Sequence, residues 1–307
     1  RLPTLHRIGL PGAGPEDVVA DAQGCLYTGL ADGRILRIDP AVSGPAAVTV
    51  LARMPGRPRG LEYTGDGQLL VCNSPRGLWS LDLSRRTFTR LLRDVAGQRQ
   101  IFCSNVVQAA DGTQYFTVSS QRHTVHHYRR DLLENHGTGA LFRRDPDGQV
   151  QCLWDGINFA NGLVLTPDGA ALIVAETTEQ RLWRYTLQGA QAGRTEVFCT
   201  LEGYPDNLSL SADGTLWVAI AAPHNPLLER LQGLPWPVRR LLARLPQALL
   251  PRPEPLAWVE GFDVQGRRLH RYQWRGGDYA MVTGLCQVGR RVYLGGLTEA
   301  ALAWFEL

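Results

Sequence analysis

Polar residues recur at a nearly constant distance before a series of turn glycines, each at the start of an apolar segment. The residue eight positions before the glycine, or seven or six in two copies, is polar every time: Glu16, Arg59, Asn105, Asn161, Asp206 and Thr283. Two carboxylates and several amide oxygens, if brought together, match the ligands that Ca²⁺ takes at about 2.3–2.6 Å. The set contains no His or Cys, which argues against zinc, copper and iron. Because Asn and Asp also favour turns, a purely structural role at strand starts remains an alternative, as does another hard cation or no metal.

The spacing of these glycines indicates the elements that must position the polar residues. They stand at 24, 67, 112, 169, 214 and 289, mostly forty-odd residues apart, which is the size of a four-stranded propeller blade. Residues 204–219 show the unit most clearly, as an alternating strand, an Asp-Gly turn and a second apolar strand. The sequence therefore predicts an all-β fold, a six-bladed β-propeller forming a single domain over 1–307. The first strand of each blade lines the central channel, so the polar residues should converge there.

Two long gaps in the repeat predict insertions. One lies at about 121–138, and the other is a helical insertion at about 224–250, with short helices expected on one face of the propeller. The second insertion is amphipathic and rich in arginine, so it could pack on the rim, cover a hydrophobic substrate or contact a membrane surface. The N-terminal strand near residues 5–10 is expected to pair with the C-terminal strand at 303–306 and close the ring.

Composition limits the possible functions. The 307 residues are 44% hydrophobic with a net charge of only +3, and the charges are interspersed, which argues against a nucleic-acid partner. The chain has no lysine, which excludes Schiff-base chemistry. No run of about 18 apolar residues is present, so no transmembrane segment is expected and a soluble protein is predicted; its compartment, cytoplasmic or periplasmic, stays open. Buried free thiols are favoured over disulfides for the six cysteines, Cys25, Cys72, Cys103, Cys152, Cys199 and Cys286.

Five motifs carry a resemblance to a known family. They are GPED (14–17), FANG (159–162), AETT (175–178), GYPDN (203–207) and LGGLTE (294–299). In them the chain resembles strictosidine-synthase-like proteins, which group with paraoxonases, gluconolactonases and regucalcin among six-bladed propellers that hold a calcium ion in the central channel. The resemblance implies one channel calcium with the ligands Glu16, Asn105, Asn161, Asp206 and Asn207.

The chain also departs from these families. Arg59 and Ser74 stand where paraoxonases have two catalytic histidines, so that dyad is absent. Asp17 fits a second, structural calcium of the paraoxonases, but Val106 replaces its other acid, which argues against that ion. Thr283 stands at or near the catalytic glutamate of the plant synthase and cannot act as a carboxylate base.

These observations predict a calcium-dependent hydrolase of the lactonase or arylesterase type (EC 3.1). Its expected partner is a small ester or lactone, with phosphotriesters as promiscuous substrates. Calcium would act as the Lewis acid, and Arg59 would steady negative charge. The resemblance to gluconolactonases implies that Asp206, or else calcium-bound water, supplies the hydroxide. Arg59 could instead neutralise the carboxylates or pair with Glu62. Candidates for the substrate channel are Asn73, Ser74, Ser119, Glu176 and Thr283.

Two other functions remain open from the sequence. The first is a binding propeller that recognises a ligand or protein and uses its calcium only as a structural ion. The second, which the intact ligand set and Thr283 disfavour, is a condensing enzyme of the strictosidine-synthase type.

Overall fold

Six four-stranded antiparallel sheets dominate the computed structural model, which describes residues 2–40, 45–277 and 279–307. The chain begins with β1 (His6–Gly9). Blade 1 then comprises β2 (Val18–Ala20), β3 (Leu26–Gly29), β4 (Arg34–Asp39) and β5 (Ala47–Arg53). Blade 2 comprises β6 (Arg57–Tyr63), β7 (Gln68–Ser74), β8 (Gly77–Asp82) and β9 (Thr87–Leu92). A small hairpin follows, formed by β10 (Asp94–Val95) and β11 (Gln98–Arg99).

The remaining blades repeat the same order. Blade 3 comprises β12 (Cys103–Gln108), β13 (Gln114–Val118), β14 (Gly139–Arg144) and β15 (Val150–Ile157). Blade 4 comprises β16 (Ala160–Leu165), β17 (Ala171–Glu176), β18 (Arg181–Thr186) and β19 (Thr195–Thr200). Blade 5 comprises β20 (Gly203–Leu210), β21 (Leu216–Pro223), β22 (Leu256–Phe262) and β23 (Arg268–Arg275). Blade 6 comprises β24 (Val282–Val288), β25 (Arg291–Gly296) and β26 (Ala301–Glu306), completed by β1. The predicted six-bladed propeller is confirmed, whereas the assignment of 1–307 to one domain stays a prediction.

The ring closes where the N-terminal strand joins the last blade. β1 pairs antiparallel with β26, with His6 opposite Trp304 and Gly9 opposite Ala301. This pairing closes the ring, as predicted, and β1 covers the outer edge of β26.

Neighbouring blades pack face to face through apolar side chains. Leu70 and Cys72 of blade 2 pack with Phe116 and Val118 of blade 3 in one buried cluster. Similar clusters join blades 5 and 6 and blades 4 and 5. All six cysteines are free; four are buried, Cys199 is half-buried and Cys152 is exposed. The packed blades form the rigid frame around the channel.

The two insertions lie over one end of the channel. The first contains a 3-10 turn (Val125–His127) and α1 (Tyr128–Glu134), and the second contains α2 (Pro226–Gln232), α3 (Trp236–Leu242) and a 3-10 turn (Gln247–Leu249). The predicted helical insertion at about 224–250 is thus found, with two short helices, whereas helix α1 of the first insertion was not predicted. Helix α1 contacts both α2 and α3. No helix in the described part of the chain is long and apolar enough to cross a membrane.

Candidate metal centre and substrate cavity

Irregular strand pairing, in which the hydrogen-bonding register shifts, marks the innermost strand in most blades of the propeller. In five blades the register of the first two strands shifts, between Pro58 and Leu61, Cys103 and Val106, Ala160 and Leu163, Pro205 and Leu208, and Val282 and Gly284. The residues inside these breaks are Arg59-Gly60, Ser104-Asn105, Asn161-Gly162, Asp206-Asn207 and Thr283. Irregularities of this kind re-aim side chains. The polar residues found by their spacing are therefore released from regular pairing.

Direct contacts join these residues into one cluster. Arg59 forms an ion pair with Glu16 and donates a 3.4 Å hydrogen bond to Ser104 Oγ. Ser104 Oγ in turn donates to Asn161 Oδ1 at 3.1 Å. A separate hydrogen bond runs from Asn105 Nδ2 to Asn207 Oδ1 at 2.9 Å. Asp206 and Thr283 line the same cavity as Arg59 and Asn161. The structure thus places Arg59, Asn161, Asp206 and Thr283 at one cavity, with Glu16 paired to Arg59. Asn105 and Asn207 bond to each other and are not among the residues that line this cavity.

Two arginines face Glu16. Besides its ion pair with Arg59, Glu16 has Oε2 3.3 Å from Arg57 Nε. Two alternatives for Arg59 were a pair with Glu62 and neutralisation of the channel carboxylates. Arg59 pairs with Glu16 and not with Glu62, which matches neutralisation. The guanidinium carbon of Arg59 also lies 4.7 Å from the centre of the Phe102 ring. This cation–π contact helps to hold the buried guanidinium in place.

Asp206 is a buried carboxyl without a full complement of partners. Its pKa is raised from 3.8 to about 8, mainly by burial; the Arg59 charge lowers the pKa, and the nearby Glu16 charge adds to the increase. Its Oδ1 atom is buried and has no hydrogen-bond partner in the part of the chain that the structure describes. Such an atom costs free energy unless a cation or donor meets it.

Threonine hydroxyls hold the inner strands in place, and sequence reasoning missed two of them. Thr177 Oγ1 donates to Pro205 O at 2.7 Å and accepts from Asn161 Nδ2 at 3.2 Å. Thr117 Oγ1 donates to Asn161 O at 2.5 Å. The same role explains Thr283, whose hydroxyl donates to Glu16 O at 2.7 Å. In the sequence, both residues could have been recognised as threonines within or directly after the apolar second strand of a blade.

Close approach of neighbouring inner strands requires glycine. A Cβ at Gly162 would lie 2.6 Å from both Asp206 O and Asn207 Cα. A Cβ at Gly284 would lie 2.6 Å from Glu16 O. Both distances are shorter than a carbon side chain tolerates, so these glycines let the ligand-bearing strands meet.

The cavity above this cluster is mainly apolar. Phe102, Tyr128, Leu132, Phe159 and Met281 are among its walls, and Arg59, Asn161, Asp206 and Thr283 supply polar groups. Parts of both insertions line it, including Leu228, Pro251 and Arg252. An apolar cavity with a few convergent polar groups is the usual form of a small-molecule site.

Four predicted channel candidates lie elsewhere. Asn73, Ser74, Ser119 and Glu176 are buried, but they are not among the residues that line the cavity. Ser74 Oγ donates to Ile101 O at 2.8 Å, and Ser119 Oγ donates to Ala160 O at 2.7 Å. These residues end the second strands or follow them, so their side chains reach neighbouring backbone instead of the channel axis.

The other two candidates are also held by nearby groups. Asn73 Nδ2 donates to Pro55 O at 3.0 Å. Glu176 accepts hydrogen bonds from Arg181 Nε at 2.8 Å and Trp183 Nε1 at 2.7 Å. Of the five candidates for the substrate channel, Thr283 is the one that the structure places at the cavity.

The donor set fits a hard, oxygen-seeking cation. Asp206 Oδ1 is buried without a hydrogen-bond partner within the described residues, and Glu16 Oε2, which accepts no hydrogen bond there, lies 3.3 Å from Arg57 Nε. Three amides, those of Asn105, Asn161 and Asn207, complete the set. Within residues 2–40, 45–277 and 279–307 no three His, Cys, Asp or Glu side chains cluster as a metal site, so the amides would have to supply the further oxygens. Calcium accepts such a mixture of carboxylate and amide oxygens.

The six blades and their polar channel match one family of propellers. The family described as "SMP-30/Gluconolactonase/LRE-like region" matches residues 18–226, and the chain belongs to this family. Protein STRICTOSIDINE SYNTHASE-LIKE 13 of Arabidopsis thaliana is 31% identical over 259 residues, which cover 76% of this chain and 64% of that protein. The human adipocyte plasma membrane-associated protein is 29% identical over 250 residues, covering 76% of this chain and 60% of that protein. The chain therefore spans less than two thirds of the length of both relatives.

Solved structures show the same fold. A gluconolactonase from Xanthomonas campestris has a TM-score of 0.69 at 18% identity, covering 100% of this chain and 91% of that chain. A calcium-binding regucalcin from Agrobacterium tumefaciens has a TM-score of 0.65 at 17% identity, covering 97% and 92%. The resemblance drawn from the sequence motifs is confirmed at the level of family and fold.

Proposed function

We propose that this protein is a calcium-dependent hydrolase of lactones and aryl esters, with phosphotriesters as promiscuous substrates. The observation that carries the proposal is the unpartnered Oδ1 of Asp206, a residue that lies with Asn161 at a mainly apolar cavity. The proposal is also supported by two proteins that share the fold, a gluconolactonase and a calcium-binding regucalcin.

The proposed ligands of the ion are Glu16, Asn105, Asn161, Asp206 and Asn207. When bound, calcium would supply a Lewis acid for the carbonyl oxygen of the substrate. Asp206 would accept the proton of the attacking water, since a carboxylate with a free oxygen at the cavity can act as a general base. The apolar walls, including Phe102 and Phe159, would exclude bulk water and strengthen each electrostatic interaction.

Arg59 would stabilise the negative charge that develops on the substrate oxygen. Its guanidinium is held by Glu16, Ser104 and the Phe102 ring and also lines the cavity, so it is positioned before the substrate arrives. A prepositioned charge of this kind needs little reorganisation during the reaction. Thr283 offers no carboxylate, and its hydroxyl donates to a backbone oxygen. This residue therefore does not support a condensation like that of strictosidine synthase.

A substrate panel tests the reaction class. Purified protein is assayed with a γ-lactone, a δ-lactone, an aryl acetate and a phosphotriester, alongside Asp206→Asn and the exposed control Asp155→Asn. We expect hydrolysis of a lactone or the aryl ester by the wild type and the control, with loss of turnover in Asp206→Asn. Full activity of Asp206→Asn would refute its role as base, and inactivity of the wild type on every substrate would favour a binding propeller with a structural ion.

A further inference from the structure

The outer side of the helical insertion exposes an unusual share of apolar surface. Of the eleven large hydrophobic side chains that are exposed in the described part of the chain, six fall between residues 227 and 249. They are Leu227, Leu234, Val238, Leu241, Leu245 and Leu249. We call this set the outer apolar face. Two of its members, Leu241 and Leu249, are 65% and 69% exposed.

This face is distinct from the side that packs on the propeller. Leu228, Ala243 and Leu250 are buried in a cluster with Leu133 of α1 and Tyr204 of β20. Val238 and Leu241 are three residues apart and lie on one side of α3, and the exposed Leu234 and Leu245 flank this helix. The insertion is therefore apolar on two sides, and its inward packing leaves the outer apolar face in solvent.

Arginines without ion-pair partners among the described residues accompany the outer apolar face. Arg230, Arg240 and Arg244 are exposed, whereas Arg239 donates to Asn135 O and Arg252 lines the cavity. From residue 230 to 253 the sequence contains no Asp or Glu and five arginines, Arg230, Arg239, Arg240, Arg244 and Arg252. None of the five lies within ion-pair distance of a carboxylate among the described residues. Arginines on the blades do find such partners, as Arg275 does with Glu254 at 3.0 Å and Arg291 with Glu306 at 3.2 Å.

Apolar side chains combined with unpaired arginines suit an anionic lipid surface. Leucines gain free energy by entering the boundary between headgroups and acyl chains, and arginines are attracted to anionic headgroups. A nucleic acid would use the arginines but not the leucines. A second copy of the same face would bring two basic surfaces together without an acidic residue between 230 and 253 to compensate them.

We propose that the outer apolar face docks this protein on the surface of an anionic membrane without crossing it. Pro251, Arg252 and Pro253, which directly follow the insertion, line the cavity, so docking would bring the cavity close to the lipid. If the proposed hydrolase function holds, apolar esters dissolved in the membrane would be its substrates. That last step rests on the proposed function, whereas docking itself does not.

Vesicle flotation tests docking without any measurement of turnover. Wild-type protein is mixed with vesicles of phosphatidylcholine alone or with about 30% phosphatidylglycerol, at low and high salt. We expect flotation with the anionic vesicles, weakened by salt and about tenfold weaker with phosphatidylcholine alone. The double variant Leu241→Ser/Leu249→Ser and the double variant Arg240→Gln/Arg244→Gln should each reduce the partition coefficient about tenfold.

Matched controls separate docking from general effects of substitution. Val197→Ser/Leu269→Ser removes two exposed apolar side chains from the outer strands of blades 4 and 5, and Arg85→Gln/Arg99→Gln removes two exposed arginines from elsewhere. Both controls should float like the wild type, and circular dichroism should show all variants folded. Equal flotation of the leucine double variant and the wild type would overturn the proposal in favour of plain polyanion binding. Absence of flotation, or a leucine-dependent dimer without flotation, would also overturn it.

Discussion

Arg59 in the inner strand of blade 2 and Glu16, just before the inner strand of blade 1, form an ion pair with side chains that are only 5% and 1% exposed. Glu16 is also one of the proposed calcium ligands, and Asp206 shares its surroundings. Two carboxylates of the proposed ligand set therefore depend on the same nearby arginine for compensation, assisted by Arg57. The stability of the channel without calcium should be sensitive to Arg59.

Substitution of Arg59 should make the protein depend more strongly on calcium. Arg59→Met would leave Glu16 as a buried charge without its closest partner, at a cost of about 3–5 kcal/mol in the free energy of unfolding. Added calcium should then raise the melting temperature of the variant more than that of the wild type. Thermal unfolding with and without calcium measures both effects.

The control is Arg143→Met, which breaks an exposed pair with Asp145 and should change stability by less than about 1 kcal/mol. An Arg59 variant with unchanged stability and an unchanged response to calcium would show that Arg59 does not compensate the ligand carboxylates.

Thr177 should affect calcium affinity although it is not a proposed ligand. Thr177→Val keeps the shape of the side chain but leaves Asn161 Nδ2 and Pro205 O without this partner. We expect a loss of about 1–3 kcal/mol in stability and calcium binding weakened about 10–100-fold. Calorimetric titration with calcium measures the affinity, and Thr89→Val on the exposed face of β9 is the control. Equal affinities in all three proteins would leave Thr177 with a purely structural role.

Asp131 on α1 should make stability depend on pH. The pKa of this carboxyl is raised from its ordinary value of 3.8 to about 7, mainly by burial. A hydrogen bond from Ser120 lowers the pKa, and the nearby Glu134 charge raises it. Between these two pKa values the folded protein holds a proton that the unfolded chain releases, so this group's contribution to stability falls as pH rises to about 7 and stays low above it.

Asp131→Asn removes this titration. At pH 8 the variant should be more stable than the wild type by up to about 4 kcal/mol, and the difference should shrink steadily toward pH 5. Urea unfolding between these pH values tests this, with exposed Asp155→Asn as the control. A difference between variant and wild type that does not change with pH would contradict the assignment.

Gly162 should not tolerate even a methyl group. Gly162→Ala places a carbon against the backbone of Asp206 and Asn207, so it should cost about 3 kcal/mol or more or prevent folding. Gly9→Ala, where a Cβ meets no atom within 4 Å, should cost less than about 1 kcal/mol. Comparable unfolding midpoints for the two variants would mean that the inner strands can move apart.

The sequence predicted the propeller and the channel positions because both follow from a repeated spacing. Asn161 and Asp206 keep the same distance from their turn glycines, so a correct blade assignment places them on one axis. Ser74 and Glu176 were placed less well because their positions at the ends of second strands do not reveal the contacts they make with backbone and other side chains. Helix α1, only seven residues long, is stabilised by tertiary contacts that spacing does not encode.

Removal and return of calcium tests the central claim most directly. Hydrolysis of the best substrate is measured before chelation, after chelation and after addition of Ca²⁺ or Mg²⁺, with the melting temperature recorded each time. We predict that chelation abolishes turnover while the protein stays folded and that Ca²⁺, but not Mg²⁺, restores it. Turnover that survives complete chelation would contradict a catalytic calcium held by Glu16, Asn105, Asn161, Asp206 and Asn207.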